Sequence, residues 1–152
     1  MSSYIKVLQI NVNCSSPTTE NILQTAIELD IKVLVIQEPW VIAGNNNREY
    51  YSIIYPSYFQ ILPNYSTLRP RTLIYIACKL QASLAQNSPS NPDYLIIDLN
   101  LGVLKMQLIN IYNTSYPEDP NSILTILRED ILPTTLYNNS LLLGDFNIYY
   151  PW

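Results

Sequence analysis

Polar and apolar residues alternate from Tyr4 to Asn13, with Ile5, Val7, Gln9 and Asn11 on one side, and this period predicts a strand. Ser16 and Pro17 then read as a helix N-cap and first helical position, with Glu20 in the first turn. Ile22, Leu23, Ala26, Ile27 and Leu29 follow at helical spacing and predict a core-facing stripe that runs to about Asp30. Lys32 to Gln37 is apolar on both faces, as a central strand covered on both sides should be. Glu38-Pro39 ends it, because proline has no N–H to give to a ladder.

Gly44-Asn45-Asn46-Asn47 reads as a loop, and Tyr50 to Tyr55 and Phe59 to Leu62 as short strands broken by Pro56 and Pro63. Arg71 to Leu80, Tyr94 to Leu99 and Leu104 to Tyr112 predict three further strands, the last two joined as a hairpin near Gly102. A helix is expected from Pro120, using Ile123, Leu124, Ile126 and Leu127, with Pro133 ending or kinking it. Leu141 to Phe146 is the last strand. The order is strand-helix-strand, a run of strands, then helix-strand, which predicts an α/β (α+β) chain of mixed sheets with helices packed outside.

No linker, repeat or low-complexity tract divides the 152 residues, so the expectation is one domain over 1–152. With 48% hydrophobic and 13% charged residues the composition is that of a globular chain. Its apolar runs are too short to span a bilayer, and the start lacks the basic and apolar regions of a secretory signal. An intracellular setting is expected, in which Cys14 and Cys78 are two buried thiols rather than a disulfide.

Charge and residue usage narrow the chemistry. A net charge of −4 opposes broad non-specific binding to nucleic acid, and Arg69-Pro70-Arg71 is the only basic cluster. There is no histidine, which removes Ser-His-Asp and Cys-His catalysis, imidazole zinc sites and any histidine base. An acidic chain can still cleave a polyanion if a divalent cation brings the positive charge.

The candidate chemistry lies at predicted strand ends: Asn11 and Asn13, Glu38, Asn110 and Tyr112, and Asp145 and Asn147. In Gly144-Asp145-Phe146-Asn147, alternation puts Asp145 and Asn147 on one side, about 7 Å apart along the backbone, with Phe146 anchoring the tip. The same tetrapeptide also has the composition of a simple turn. If the ends share one rim, two carboxylates and several amide oxygens surround a point suited to a hard cation such as Mg²⁺.

Four segments carry a resemblance: Leu8-Gln9-Ile10-Asn11-Val12-Asn13, Val35-Ile36-Gln37-Glu38-Pro39, Ile109-Asn110-Ile111-Tyr112 and Leu143-Gly144-Asp145-Phe146-Asn147. Together they resemble the endonuclease/exonuclease/phosphatase superfamily. Within it, Gln37-Glu38-Pro39, Arg69-Pro70-Arg71 before a strand and Asn147-Ile148-Tyr149-Tyr150-Pro151-Trp152 look most like the endonuclease domain of non-LTR retrotransposons. The resemblance implies a two-sheet αββα sandwich. It implies Glu38 as metal ligand, with Asn11 supporting the metal and phosphate site, and Asn13 standing where many relatives carry an aspartate. By the same resemblance Asp145 positions or activates the attacking water, Asn147 holds a phosphate oxygen, and Tyr112 hydrogen-bonds the scissile phosphate or assists the leaving group.

The implied activity is DNA nicking with Mg²⁺ or Mn²⁺, in the nucleus, beside a reverse-transcriptase region. Two departures stand out. Tyr149 and Tyr150 occupy places where the subgroup commonly has histidines, and the chain stops at Trp152, short of the Asp-His ending usual in relatives. The expectation is therefore a C-terminally truncated sandwich lacking its last third, with an uncovered edge and impaired or absent activity. Two alternatives come from the same residues: a phosphatase acting on a small phosphorylated substrate, and a non-catalytic remnant or binding module.

Overall fold

The computed structural model describes residues 4–45, 49–63, 68–113 and 139–146, with the single positions 125, 128, 129 and 133. The strands are β1 (Val7–Asn11), β2 (Val33–Gln37), β3 (Ile42–Ala43), β4 (Tyr50–Tyr51), β5 (Tyr58–Ile61) and β6 (Thr72–Ala77). They continue as β7 (Gln81–Leu84), β8 (Tyr94–Leu101), β9 (Leu104–Tyr112) and β10 (Ser140–Asp145), and the helix is α1 (Ser16–Glu28). One sheet has the order β1-β2-β6-β5, a second β10-β9-β8-β7, and β3 and β4 form a small ladder.

Strand alternation builds the layers. Val33 and Val35 of β2 and Ile74 and Ile76 of β6 meet Leu95, Ile97 and Leu99 of β8 and Leu108 of β9 in a dry core between the sheets. The other face of the first sheet, through Leu34, Ile36, Leu73 and Tyr75, packs on Leu23 and Ala26 of α1. Every residue of β2 is buried, as a strand covered on both faces requires. The outer face of the second sheet carries a third cluster of Tyr94, Ile96, Ile109 and Ile111 with Ala85. Helix, sheet and sheet are thus stacked in the expected order.

The helix starts one residue earlier than its sequence predicts. Ser15 is the N-cap, its hydroxyl accepting from the Thr18 N–H at 3.2 Å, so Pro17 falls in the first turn and Glu20 does not. Its buried face is centred on Thr19, Leu23 and Ala26, which leaves Ile27 and Leu29 on the flanks and exposed. The segment expected as one strand from Arg71 to Leu80 breaks after Ala77: Leu80 N–H bonds Ala77 O at 2.8 Å, and the chain crosses to the other sheet as β7. Both cysteines are exposed, contrary to expectation, because Cys14 lies in the β1–α1 loop and Cys78 in the turn after β6. The helix expected from Pro120 lies outside the described residues apart from its isolated positions. No helix among the described residues is long and apolar enough to cross a membrane.

Two strand pairings set the geography of the molecule. β1 runs parallel to β2, with Asn11 opposite Gln37, and β9 runs parallel to β10, with Tyr112 opposite Asp145. Both parallel pairs point their C-terminal ends at the same rim. Gly102, at φ +83°, makes the tight β8–β9 turn at the far end.

Buried amides lock the sheets in register just below that rim. Gln37 Nε2 donates to Asn110 Oδ1 at 2.6 Å, and Asn110 Nδ2 donates to Ile36 O at 3.0 Å and Leu73 O at 3.2 Å. Both side chains are fully buried. Asn110, expected among the rim residues, is therefore an inter-sheet clamp one step inside it. An Asn110→Ala variant should lose about 2–4 kcal/mol of unfolding free energy, because Gln37 and the β2 and β6 carbonyls are left unpaired in the interior. Urea denaturation checks this, and a loss below about 0.5 kcal/mol would contradict the clamp.

Candidate active site

The inter-sheet layer turns polar where the parallel pairs end. Val7 leads to Gln9 and Asn11, Val33 and Val35 to Gln37, Leu108 to Asn110 and Tyr112, and Leu141 and Leu143 to Asp145. Period-2 alternation keeps each series on one face, so the apolar core gives way to a cluster of amides, a phenol and carboxylates.

The contacts cross between sheets. Asn11 Nδ2 donates to Asp145 Oδ2 at 3.1 Å, and Gln9 Nε2 donates to Gly144 O at 2.7 Å. The Tyr112 hydroxyl donates a short hydrogen bond to Glu38 Oε1. Tyr112 and Asp145 are register partners, and both Glu38 and Asp145 act electrostatically on the Tyr112 phenol. The structure thus brings Asn11, Glu38, Tyr112 and Asp145 together. Asn13 joins through its backbone, its N–H donating to Asn11 Oδ1 at 2.8 Å. Asn147 lies outside the described residues.

Local backbone explains how the side chains are aimed. Glu38 follows β2 in the left-handed region at φ 47°, and Asn13 and Cys14 adopt φ 49° and 54°. A left-handed glutamate before proline costs on the order of 1–2 kcal/mol. Here that conformation is held from both sides: Glu38 N–H bonds Arg71 O at 2.9 Å and Cys14 N–H bonds Glu38 O at 2.8 Å. Gly144 is required by close approach, since a Cβ there would stand 2.4 Å from Ile111 O. Asp145 can therefore sit beside Tyr112 only if the preceding residue is glycine. Asn113 closes the tip, its N–H on Asp145 O at 2.8 Å and its amide on Phe146 O at 2.6 Å.

The electrostatics follow from these neighbours. Burial, then the hydrogen bond to Glu38 and its charge, push the Tyr112 phenol up to about 12; Arg71 opposes and Asp145 adds to the rise. Tyr112 is accordingly a proton-holding donor rather than a base. Arg71 Nε and Nη2 grip both oxygens of Asp93, at 2.5 and 2.7 Å, with the guanidinium carbon 5.5 Å from the Tyr112 ring centre. Burial outweighs that pairing and holds the Asp93 carboxyl above its usual value. A cleft of about 540 Å³ opens beside Glu38, walled by Cys14, Leu68, Arg69, Pro70, Arg71 and Pro92.

Among the described residues no three His, Cys, Asp or Glu side chains cluster for a metal. The donors present are carboxylate and amide oxygens, those of Glu38, Asp145 and Asn11. That set fits Mg²⁺ or Mn²⁺, which take one or two carboxylates and fill their remaining positions with water or phosphate oxygens. Gln9, Gln37 and the Arg71–Asp93 pair were missing from the sequence-derived site. Arg71 was visible only as part of a basic cluster, and Asp93 gave no signal.

Over 97% of its length the chain overlays the endonuclease domain of TRAS1, a telomere-specific non-LTR retrotransposon, with a TM-score of 0.64 at 14% identity, covering 61% of that chain. Humanized D. rerio TDP2 matches over 96% at TM-score 0.57 and 13% identity, covering 63% of that chain. Truncated Caenorhabditis elegans TDP2 matches over 95% at TM-score 0.51 and 14% identity, also covering 63%. The chain spans about three-fifths of the length of these structures. The likeness is one of fold, and it agrees with the two-sheet arrangement that the strand-end motifs imply. No family model and no curated protein matches the sequence.

The raised phenol carries a sign that can be measured. The protonated Tyr112 favours the folded chain, so its contribution is complete below pH 10 and is lost as pH rises toward about 12. Tyr112→Phe removes this titration. The wild type should lose stability relative to the Phe variant between pH 10 and 12, measured by urea unfolding at each pH. A stability difference that stays constant from pH 8 to 12 would contradict the assignment.

Proposed function

We propose that the chain is a divalent-metal-dependent phosphodiesterase domain that nicks DNA. The observation that carries this reading is the meeting of Glu38 from the first sheet and Asp145 from the second at one rim, joined by Tyr112 and Asn11. Acids on separate sheets beside a phenol and amides are suited to a phosphoryl group, whose charge must be met by donors and a cation.

Glu38, with support from Asn11 and Asn13, would hold the Mg²⁺ or Mn²⁺. When bound, the ion supplies positive charge to the phosphoryl and leaving oxygens, which an acidic chain cannot do alone. Asp145, kept in place by the Asn11 amide, orients the attacking water and accepts its proton. Tyr112 keeps its own proton through neutral pH, and when substrate binds its hydroxyl turns from Glu38 to donate to the phosphate or the leaving oxygen. Asn147, two residues beyond Asp145, holds another phosphate oxygen. The cleft beside Glu38 is open and flanked by Arg69, which favours an extended polyanion over a small enclosed substrate. The fold it shares with the TRAS1 endonuclease domain supports DNA as that polyanion, and nuclear DNA as its setting.

Supercoiled plasmid with Mg²⁺ tests the reading. The wild type should convert it to the open circle, and chelation should stop the reaction. Glu38→Gln and Asp145→Asn should each slow nicking by about 100-fold or more. Undiminished nicking in both variants would remove these catalytic assignments, and phosphate release from inositol phosphates with no nicking would favour the small-substrate alternative.

A further inference from the structure

Arg71 touches both members of the Tyr112–Glu38 pair, through different parts of the residue. Its carbonyl accepts the Glu38 N–H at 2.9 Å and so helps fix the left-handed turn that aims the carboxylate. Its guanidinium lies over the Tyr112 ring at 5.5 Å. We propose that Arg71 is a positioning residue, holding the phenol and the carboxylate in register across the gap between the sheets. This rests on the roles given above to Glu38 and Tyr112.

The surroundings of Arg71 fit that task. Arg71 leads directly into β6 of the first sheet, whereas Asp93 leads into β8 of the second, so their ion pair spans the two sheets on the site side. The backbones are tied at the same place: Arg71 N–H donates to Pro92 O at 2.8 Å and Tyr112 N–H to Asp93 O at 2.7 Å. Asp93 is the more enclosed partner, its side chain 17% exposed against 39% for Arg71. A two-point grip on a partly buried carboxylate fixes the plane of the guanidinium, and a fixed plane is what lets it lie against a ring. Lysine offers neither the fork nor the plane. An Arg–Asp pair serving stability alone would have no need of the Tyr112 ring.

The test separates positioning from mere support, and it has a readout besides activity. In protein carrying ¹³Cζ-labelled tyrosine, the Tyr112 resonance is identified by its loss in Tyr112→Phe. Glu38→Gln should move that resonance in the wild type, because the two groups are hydrogen-bonded. In Arg71→Ala and Arg71→Lys the same substitution should move it by less than half as much. The exchanged pair Arg71→Asp with Asp93→Arg should recover the thermal midpoint but not this response, and it keeps the test open if Arg71→Ala fails to fold. A Tyr112 response that survives Arg71→Ala or Arg71→Lys, or that returns in the exchanged pair, would overturn the proposal.

Kinetics give a second arm. On bis(p-nitrophenyl) phosphate, Arg71→Lys should lower kcat by about tenfold with KM changed less than twofold, and add nothing in a Tyr112→Phe background. Full additivity of the two substitutions would also overturn the proposal. If the wild type hydrolyses neither plasmid nor this diester, the hydrolase reading fails, while the resonance measurement still decides the role of Arg71.

Discussion

The buried amide pair of Gln37 and Asn110 is the constraint on which the molecule's chemistry depends. Two sheets packed through aliphatic side chains can slide, because dispersion contacts have no direction. An amide hydrogen bond in a dry core cannot slide without leaving its groups unpaired, and that penalty fixes one register. Asn110 also binds carbonyls of β2 and β6, so a single side chain from the second sheet locks two strands of the first. Glu38 and Tyr112 lie one and two positions beyond this lock, on strands whose relative height it sets. Their hydrogen bond follows from that register.

The polar rim is the continuation of an otherwise apolar layer. Parallel pairing of β1 with β2 and of β9 with β10 brings four strand ends to one side, and alternation carries each inward-facing row out to its tip. What changes along a row is residue type alone: valine or leucine gives way to amides on β1 and β2, to an amide and a phenol on β9, and to an acid on β10. Such a gradient places charged groups at the edge of a low-dielectric core, where hydrogen bonds and charges act more strongly than in water. The raised Tyr112 phenol is a direct consequence of that setting.

Much of this was legible in the chain because it is local. The alternation in Tyr4 to Asn13 correctly put Gln9 and Asn11 on the face that now meets the second sheet. The unbroken apolar run before Glu38 correctly described a strand buried on both faces. Asn110 was misread as a rim residue because alternation gives the face of a strand but not the depth along it. Burial depth depends on where a partner strand ends, and β2 ends far away in sequence. The Arg71–Asp93 pair escaped for a similar reason, since nothing in a basic tripeptide names its acidic partner. β7 was missed because its alternating Gln81, Ala82, Ser83 and Leu84 resemble a polar loop until an edge of the second sheet is there to receive them. The cysteines failed by composition: thiols are usually buried, but these two fall in turns, where chain geometry overrides preference.

The central proposal is that a single cation, held by Glu38 of the first sheet, lies within reach of Tyr112 and Asp145 of the second. Paramagnetic broadening by Mn²⁺ in the nuclear magnetic resonance spectrum tests it most directly. At substoichiometric Mn²⁺, the signals of Asn11, Glu38, Tyr112 and Asp145 should broaden together, recover on excess Mg²⁺, and remain sharp in Glu38→Gln. Broadening confined to residues of one sheet, or spread over the acidic surface and unchanged by Glu38→Gln, would contradict it.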